Sequence, residues 1–502
     1  MPRTPWPCLV RASLLTLISL LSACIDSQGI VPQAERLQPA RLDPGAALRQ
    51  AEREAAWPQE RWWQAYGDAQ LDAWMARALA ASPSLGMAAA RVRQARALAG
   101  VVESAEAPQL DLEASVQRKR WPDDYFYGPG VLGRTSSWNN TTQLGFSYDL
   151  DLWGRERSRS RQAIDQARQA VAEARLAALE LQGNLVRSYI QLALRHAEAD
   201  IARASLAQQQ ALLRLAQRRL RDGIGTRLEV SRAEAPLAES HRRIDALHEA
   251  IVLNQHQIAV LAGQGPGAGE ALQRPTLSLQ RQPGLPTQLP LELLGHRPDL
   301  QARRWQVAAA ARGIEVAKAS FYPNVNLLAG LGSNATQGGL LDFLHYDKLA
   351  YNVGPALSLP LYDGGRRRGE LGVASADYDL AVQQYNQSLL QALQQVADAL
   401  VRQQSLAQQA QLAAEAVAAA QRTHELALLA QQRGLTGFDE VLQTQPLLFA
   451  RQLTQQQVRA AQLSAQADLL LALGAGVQPQ PGAPSEADLA PGEPRLRFLP
   501  QP

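Results

Sequence analysis

Between Arg155 and Arg221 an apolar residue returns at every seventh position, through Ile164, Val171, Ala178, Leu185, Leu192, Ala199, Leu206, Leu213 and Leu220, and the stretch contains no proline. A seven-residue repeat sustained this long predicts one continuous helix with a coiled-coil seam. At about 1.5 Å per residue it makes a rod of roughly 100 Å. Arg366 to Arg433 repeats the pattern with Val382, Leu389, Leu393, Val396, Leu400, Ala410, Val417 and Leu428, interrupted at Gln403 and Gln421. Each rod runs into a glycine-containing turn, Asp222-Gly-Ile-Gly-Thr226 or Arg433-Gly-Leu-Thr-Gly437, and then into a second helical stretch, 227–262 or 438–473. The expectation is two helical hairpins with closed tips. A second arm of roughly 54 Å covers only half of its rod. The helical patterns at Ala69 to Ala107 and Pro298 to Tyr322 are placed to stack above the arms and cover the rest.

Ahead of each rod the period changes from helical to two. Leu110, Leu112, Ala114 and Val116 alternate with Asp111, Glu113, Ser115 and Gln117, and Leu144, Phe146, Tyr148, Leu150 and Leu152 alternate with Gly145, Ser147, Asp149 and Asp151. Val325, Leu327 and Leu331, then Leu357, Leu359 and Leu361, give the second set. The strand pairs are expected at 109–152 and 324–361. Four strands, each with an apolar and a polar face, in a chain with no apolar run long enough for a membrane helix, suggest a transmembrane barrel. The alternative is a pair of two-sided hairpins packed on a soluble core. Four strands cannot close a barrel alone, since bacterial barrels have at least about eight.

The two sets are copies of one unit. At an offset of 211 Arg155 falls on Arg366, Gly223 on Gly434, Val230 on Val441 and Gly263 on Gly474; upstream, at 215, Pro83 falls on Pro298 and Pro108 on Pro323. Each half is then one supersecondary unit packing on its copy. The organisation read from this is a signal segment 1–23, an N-terminal anchor and belt segment 24–68, a first repeat 69–263, a linker 264–294, a second repeat 295–475 and a C-terminal tail 476–502.

Composition fits helices and excludes a nucleic-acid binder: charged residues are 19%, aromatics 5%, and the formal charge is only +3. Arg3 and Arg11, an apolar run from Leu14 to Leu21 and then Leu21-Ser-Ala-Cys24 read as a secretory signal ending in a lipoprotein box, with Cys24 the lipidated residue. Cys8 leaves with the signal, so no intramolecular disulfide is expected. No catalytic constellation stands out. His241 and His248 are about 10 Å apart along a helix, too far to share a metal ion, and no metal or cofactor is expected.

The strings "RWWQAYGDAQLDAW", "SYDLDLWGRERSRS", "ELLGHRPDLQARRWQVAAA", "FYPNVNLLAGLG" and "GPALSLPLYDGGRRRGEL", in this order on a duplicated scaffold, resemble the outer-membrane factors of tripartite efflux systems, the TolC and OprM type and its lipidated branch. The resemblance implies a mainly α fold with β: duplicated hairpins forming a periplasmic tunnel, and four transmembrane strands per chain contributing to a homotrimeric twelve-stranded barrel. It implies a non-enzymatic exit duct for small toxic compounds, lipid-anchored in the outer membrane. Its partners would be a periplasmic adaptor and an inner-membrane pump of the proton-driven resistance-nodulation-division type. A duct for protein secretion is the alternative within the class, and a periplasmic coiled-coil adaptor the alternative outside it. An adaptor carries one hairpin; this chain has two.

The family places adaptor docking at the tips, here Gly223, Ile224, Gly225 and Thr226, and Gly434, Leu435, Thr436 and Gly437. Gly437 departs from the pattern, standing where a hydroxyl residue is usual. An acidic pair after the second tip rings the periplasmic gate; Glu440 matches it, Gln443 replaces its second member, and Asp439 is a substitute. The family's gate-holding aromatic and arginine correspond to Gln431 and Thr436, which leaves Arg433 reaching an acid such as Glu229 as the candidate latch. In the strands, Asp111, Glu113, Asp149 and Asp151 are expected on the polar face near the periplasmic end as an acidic ring in the lumen.

Overall fold

The computed structural model describes residues 29–43, 45, 58–122, 134–278, 296–335, 339–478 and 482–494. Cys24 and the signal segment lie outside the described residues, as does most of the linker. The first repeat comprises α1 (Ala69–Ala81), α2 (Pro83–Glu103), β1 (Gln109–Arg120), β2 (Ser136–Asp149), α3 (Arg155–Arg221) and α4 (Arg227–Leu261). The second comprises α5 (Pro298–Ala319), β3 (Asn324–Ala335), β4 (Leu349–Ser358), α6 (Arg366–Gln432) and α7 (Phe438–Ala472).

Both rods are single helices of 67 residues. None of the nine seam residues of α3 is exposed: Leu185, Leu192 and Ala199 at mid-rod are buried, and those towards each end are half-buried. Mid-rod burial has a local cause. Here α1, α4 and α7 pack on α3 around Trp74, Met75, Tyr189, Ile258 and Ala467. A second core gathers α5, α6 and the top of α7 around Trp305, Ile314, Leu389 and Leu469. Gly183 lets α7 approach α3 closely, because a Cβ there would meet the Leu471 side chain at 2.6 Å.

All four ends of the long helices and second arms close alike. The glycines at 223, 263, 434 and 474 have φ between 72° and 86°. At 223, for example, its N–H bonds the Leu220 carbonyl and the next N–H bonds that of Arg219. This is the Schellman closure, which places a left-handed residue just past the last turn. Gly263 lies against the Ala81 carbonyl and Gly474 against that of His296, so each second arm docks where its own repeat begins. The offset of 215 between Ala81 and His296 is the upstream repeat offset.

Two expectations are corrected. The helix expected over Ala69 to Ala107 breaks at Ser82, which is extended at φ −64°, ψ 126° because it precedes Pro83. The strand alternation also ends early. Leu150 and Leu152 lie beyond β2, which is turned out of the sheet where Asp149 Oδ1 accepts from the Asp151 N–H. Leu359 and Leu361 lie beyond β4, because Pro360 has no N–H to give a ladder.

Outside the repeats, the flanking segments wrap the helices. The Gln33 and Ala34 N–H groups donate to Asp379 on α6, and Leu37 N–H donates to Asn386. From the tail, Asp488 pairs with Arg312 at 2.7 Å and the Leu489 carbonyl accepts from Tyr378. The linker is pinned by Asp68, which caps α1 and accepts from Thr276 N–H and Tyr189 Oη–H. Burial beside that carboxylate pushes the Tyr189 phenol well up.

Candidate functional site: the sheet face and the hairpin tips

The strands form one antiparallel sheet in the order β1-β2-β3-β4, so the two repeats meet across the β2–β3 pairing. Directly opposed residues share a face. Leu112 therefore lies with Leu144, Leu331 and Tyr351, and Leu110 with Phe146, Ala329 and Val353. Most of these side chains are left uncovered: Leu112 is 70% exposed and Val353 78%, while Phe146 and Ala329 are half-buried. A contiguous exposed apolar sheet face on strands of 10 to 14 residues is what a lipid-facing barrel wall requires. The other face is small or polar apart from Leu328, with Asp111 beside Gly145 and Gly330, and Glu113 beside Gln143 and Gly332.

On that polar face Asp111 and Glu113 are exposed. Asp149 stands at its foot opposite Asn326, but its carboxylate is occupied, accepting from Asn324 Nδ2 at 2.9 Å and lying 3.5 Å from Arg155. Asp151 departs from the expected ring. It sits past the strand at φ 43° and is 7% exposed. Its oxygens accept from the Glu156 and Arg157 N–H groups at 3.0 and 3.1 Å. The helix start explains this: the N-cap of α3 is Gly154, which has no side chain to offer, and the orphan amides of the first turn take the nearest carboxylate instead.

At the other extreme of the molecule the two hairpin tips pack together through Leu212, Ala216, Ala233, Ala427, Phe438 and Val441. Ile224 and Leu435, equivalent in the repeat, project from the two turns at 65% and 74% exposure. Thr226 caps α4 by accepting the Glu229 N–H at 3.2 Å. Gly437 caps α7 with its backbone alone. Gly225 is held tight, since a Cβ there would meet the backbone of Arg219 and Leu220 at 2.9 Å. Gly434 and Thr436 are exposed on the second turn.

Glu229 and Glu440 are equivalent third residues of their helices. The Glu229 carboxylate lies 3.6 Å from Arg219, which is the cation the structure places there, not Arg433. The counterpart of Arg219 in the second repeat is Ala430, and among the described residues Glu440 makes no ion pair. Asp439 bonds Arg232 of α4 at 2.6 Å, tying the two hairpins together just above the tips. Gln443, the repeat counterpart of Arg232, is exposed beside them. Sequence reading missed the Arg232–Asp439 bridge. The string Thr226-x-x-Glu229 is a capping-box pattern that could have fixed the first helix start. Nothing local in sequence pairs residues 207 positions apart.

A chain that joins a lipid-facing sheet to hairpins of this length is the wall of an outer-membrane channel with a helical tunnel. It belongs to the outer membrane efflux protein family, whose profile matches residues 74–264 and 289–475. It is 47% identical over 364 residues to the fusaric acid resistance protein FusA of Burkholderia cepacia, covering 72% of this chain and 69% of that one. It is 31% identical to the pyoverdine export outer membrane protein OpmQ of Pseudomonas aeruginosa, covering 92% of this chain and 97% of the relative. The outer membrane protein VceC of Vibrio cholerae superposes with a TM-score of 0.78 at 32% identity, over 84% of this chain and all of that structure. The chain is thus an efflux channel of the outer membrane.

Proposed function

We propose that the working channel is a homotrimer pooling twelve strands, lipid-anchored through Cys24, that receives small toxic compounds from a periplasmic adaptor docked on the tips at 223–226 and 434–437. The observation that carries this reading is the four-stranded sheet with a largely exposed apolar face. Among the described residues its two edge strands, β1 and β4, each pair on one side only, with β2 and β3, and leave their outer edges open. Open sheet edges are not tolerated in the hydrocarbon core, so neighbouring copies must supply the missing pairings. The pump behind the adaptor is a proton-driven inner-membrane transporter of the resistance-nodulation-division type. The names of FusA, a fusaric acid resistance protein, and OpmQ, a pyoverdine export protein, favour small molecules over secreted proteins.

At the periplasmic end, the exposed Glu440, with Asp439 and Gln443, forms the gate ring. Three copies of Glu440 near one axis repel and favour cations. At the membrane end, Asp111 and Glu113, with Asp149 at their foot, give a negative lumen field. The deciding experiment is the mass of the detergent-solubilised mature protein together with single-channel recording in planar bilayers. A trimer with cation-selective conductance is expected; a monodisperse monomer would overturn the pooled barrel.

A further inference from the structure

The lipid-facing side of β1 changes character at its far end. From Leu110 through Leu112 and Ala114 to Val116 the outward positions are apolar; the next two are Arg118 and Arg120. Both arginines are exposed. At about 3.3 Å per residue Arg118 stands roughly 26 Å along the strand from Leu110, about the height of the apolar band of an outer-membrane barrel before strand tilt is taken off. The level of the rim is marked independently. Asn140, opposite Val116, is buried and donates from Nδ2 to the Leu340 carbonyl, so the connection between β3 and β4 already closes over the outward face there. Arg118 and Arg120 thus emerge where acyl chains give way to headgroups, at the end remote from the helices.

Their surroundings favour an external anion. Trp138 is the cross-strand partner of Arg118, and its ring centre lies 5.8 Å from the guanidinium, which orients the fork along the sheet face. Ser136, opposite Arg120, is an exposed hydroxyl. Among the described residues neither arginine forms an ion pair with a carboxylate, whereas arginines just below the sheet do: Arg155 with Glu156, Arg157 with Asp151, and Arg367 with Asp363. Two guanidinium forks two residues apart on one strand face, beside an interfacial tryptophan, present the bidentate donors that phosphate oxygens fit.

We infer that Arg118 and Arg120 bind the phosphate of the glycolipid forming the outer leaflet, so that each copy of the chain carries a headgroup site on the outer rim of the barrel. The inference uses the outer-membrane location and does not depend on the gate or docking assignments. The test is lipid retention by the detergent-solubilised full-length channel, using bis-phosphorylated lipid A, its dephosphorylated form and inorganic phosphate as probes, read by native mass spectrometry. Wild-type protein should retain lipid A about tenfold better than the dephosphorylated form, a preference worth about 1.4 kcal/mol. Arg118→Gln/Arg120→Gln should lose that preference, and Arg118→Lys/Arg120→Lys should keep part of it. Free phosphate at matching concentration should compete weakly, because the acyl chains hold the headgroup at the rim. Equal retention of the two lipid forms by wild-type protein would overturn the site, a comparison that needs no variant to fold; so would undiminished preference in the double Gln variant.

Discussion

Thr226 and Gly437 occupy the same place in the two repeats, as do Arg219 and Ala430, Leu213 and His424, and Ala233 and Thr444. In the first hairpin these positions make a self-sufficient tip: a hydroxyl cap, an arginine beside Glu229, and an apolar seam. In the second the cap has no side chain, Glu440 has no local cation, and the seam holds a buried imidazole, His424 Nδ1 lying 3.0 Å from Thr444 Oγ1. Among the described residues the ion pair that holds the second tip, Arg232 to Asp439, is borrowed from the first hairpin. The same backbone is therefore closed by two chemistries. The first hairpin is closed by its own side chains, and the second leans on its neighbour.

If the two turns dock one adaptor, their apolar projections should matter most and alike. Ile224→Asp and Leu435→Asp each place a charge where a buried contact forms, so each should weaken adaptor binding about tenfold or more. In an efflux-deficient strain complemented with each variant, susceptibility to exported compounds should approach that of the uncomplemented strain. Loss with only one of the two would show that docking uses a single tip.

The next effect tests the borrowed tie. Both side chains of the Arg232–Asp439 pair are about half exposed, so breaking it costs under about 1 kcal/mol of stability. A gate equilibrium is moved about fivefold by the same ~1 kcal/mol, and three such pairs act in a trimer. Arg232→Ala should therefore raise single-channel conductance several-fold while leaving the melting temperature nearly unchanged. Arg219→Ala, confined to the first hairpin, should leave conductance as it was.

The buried imidazole gives the second tip a pH dependence at a position where the first has Leu213. Burial lowers the His424 pKa below its ordinary 6.5, with the neighbouring Glu425 acting in the opposite direction. The unfolded arm thus takes up a proton more readily than the folded one. Its contribution to stability is complete above about pH 6.5 and is lost as pH falls towards the folded value, by at most about 1.4 kcal/mol per pH unit. Amide exchange over 420–445 should quicken on going from about pH 7.5 to about pH 5.5, after correction for intrinsic rates. His424→Leu with Thr444→Ala, which copies the first hairpin, should abolish the trend.

Much of this architecture could be read in the chain because it is periodic. The heptads of α3, the alternation of β1 and the offsets of 211 and 215 carried helices, strands and duplication into view before any packing was known. What escaped was decided by side chains meeting across the fold. The alternation through Asp149 and Asp151 read as one continuing strand, yet Asp151 is drawn off by the uncapped amides of α3. Arg433 reaching an acid such as Glu229 is the latch offered by the sequence; Arg219 of the same hairpin stands beside Glu229 instead, and Arg232 pairs with Asp439 across the two hairpins. Tip residues were legible by resemblance alone, since their exposure follows from how α4 and α7 turn.

The smallest effect isolates the caps. Gly437 has extended backbone, φ −74° and ψ 163°, with no atom within 4 Å of a Cβ built on it. Threonine is therefore accommodated there without strain, and Gly437→Thr should stabilise the start of α7 by a few tenths of a kcal/mol, slowing exchange of the amides of Asp439 and Glu440. Thr226→Ala removes the acceptor used by the Glu229 N–H and should cost about 1 kcal/mol, quickening exchange at the start of α4 about fivefold. The two changes convert each tip towards its partner, so together they should narrow the difference in tip protection. If Gly437→Thr also lowers the conductance of the Arg232→Ala channel, the missing cap belongs to the gate; if conductance is unaltered while protection rises, the glycine serves only to let the second turn fit its partner.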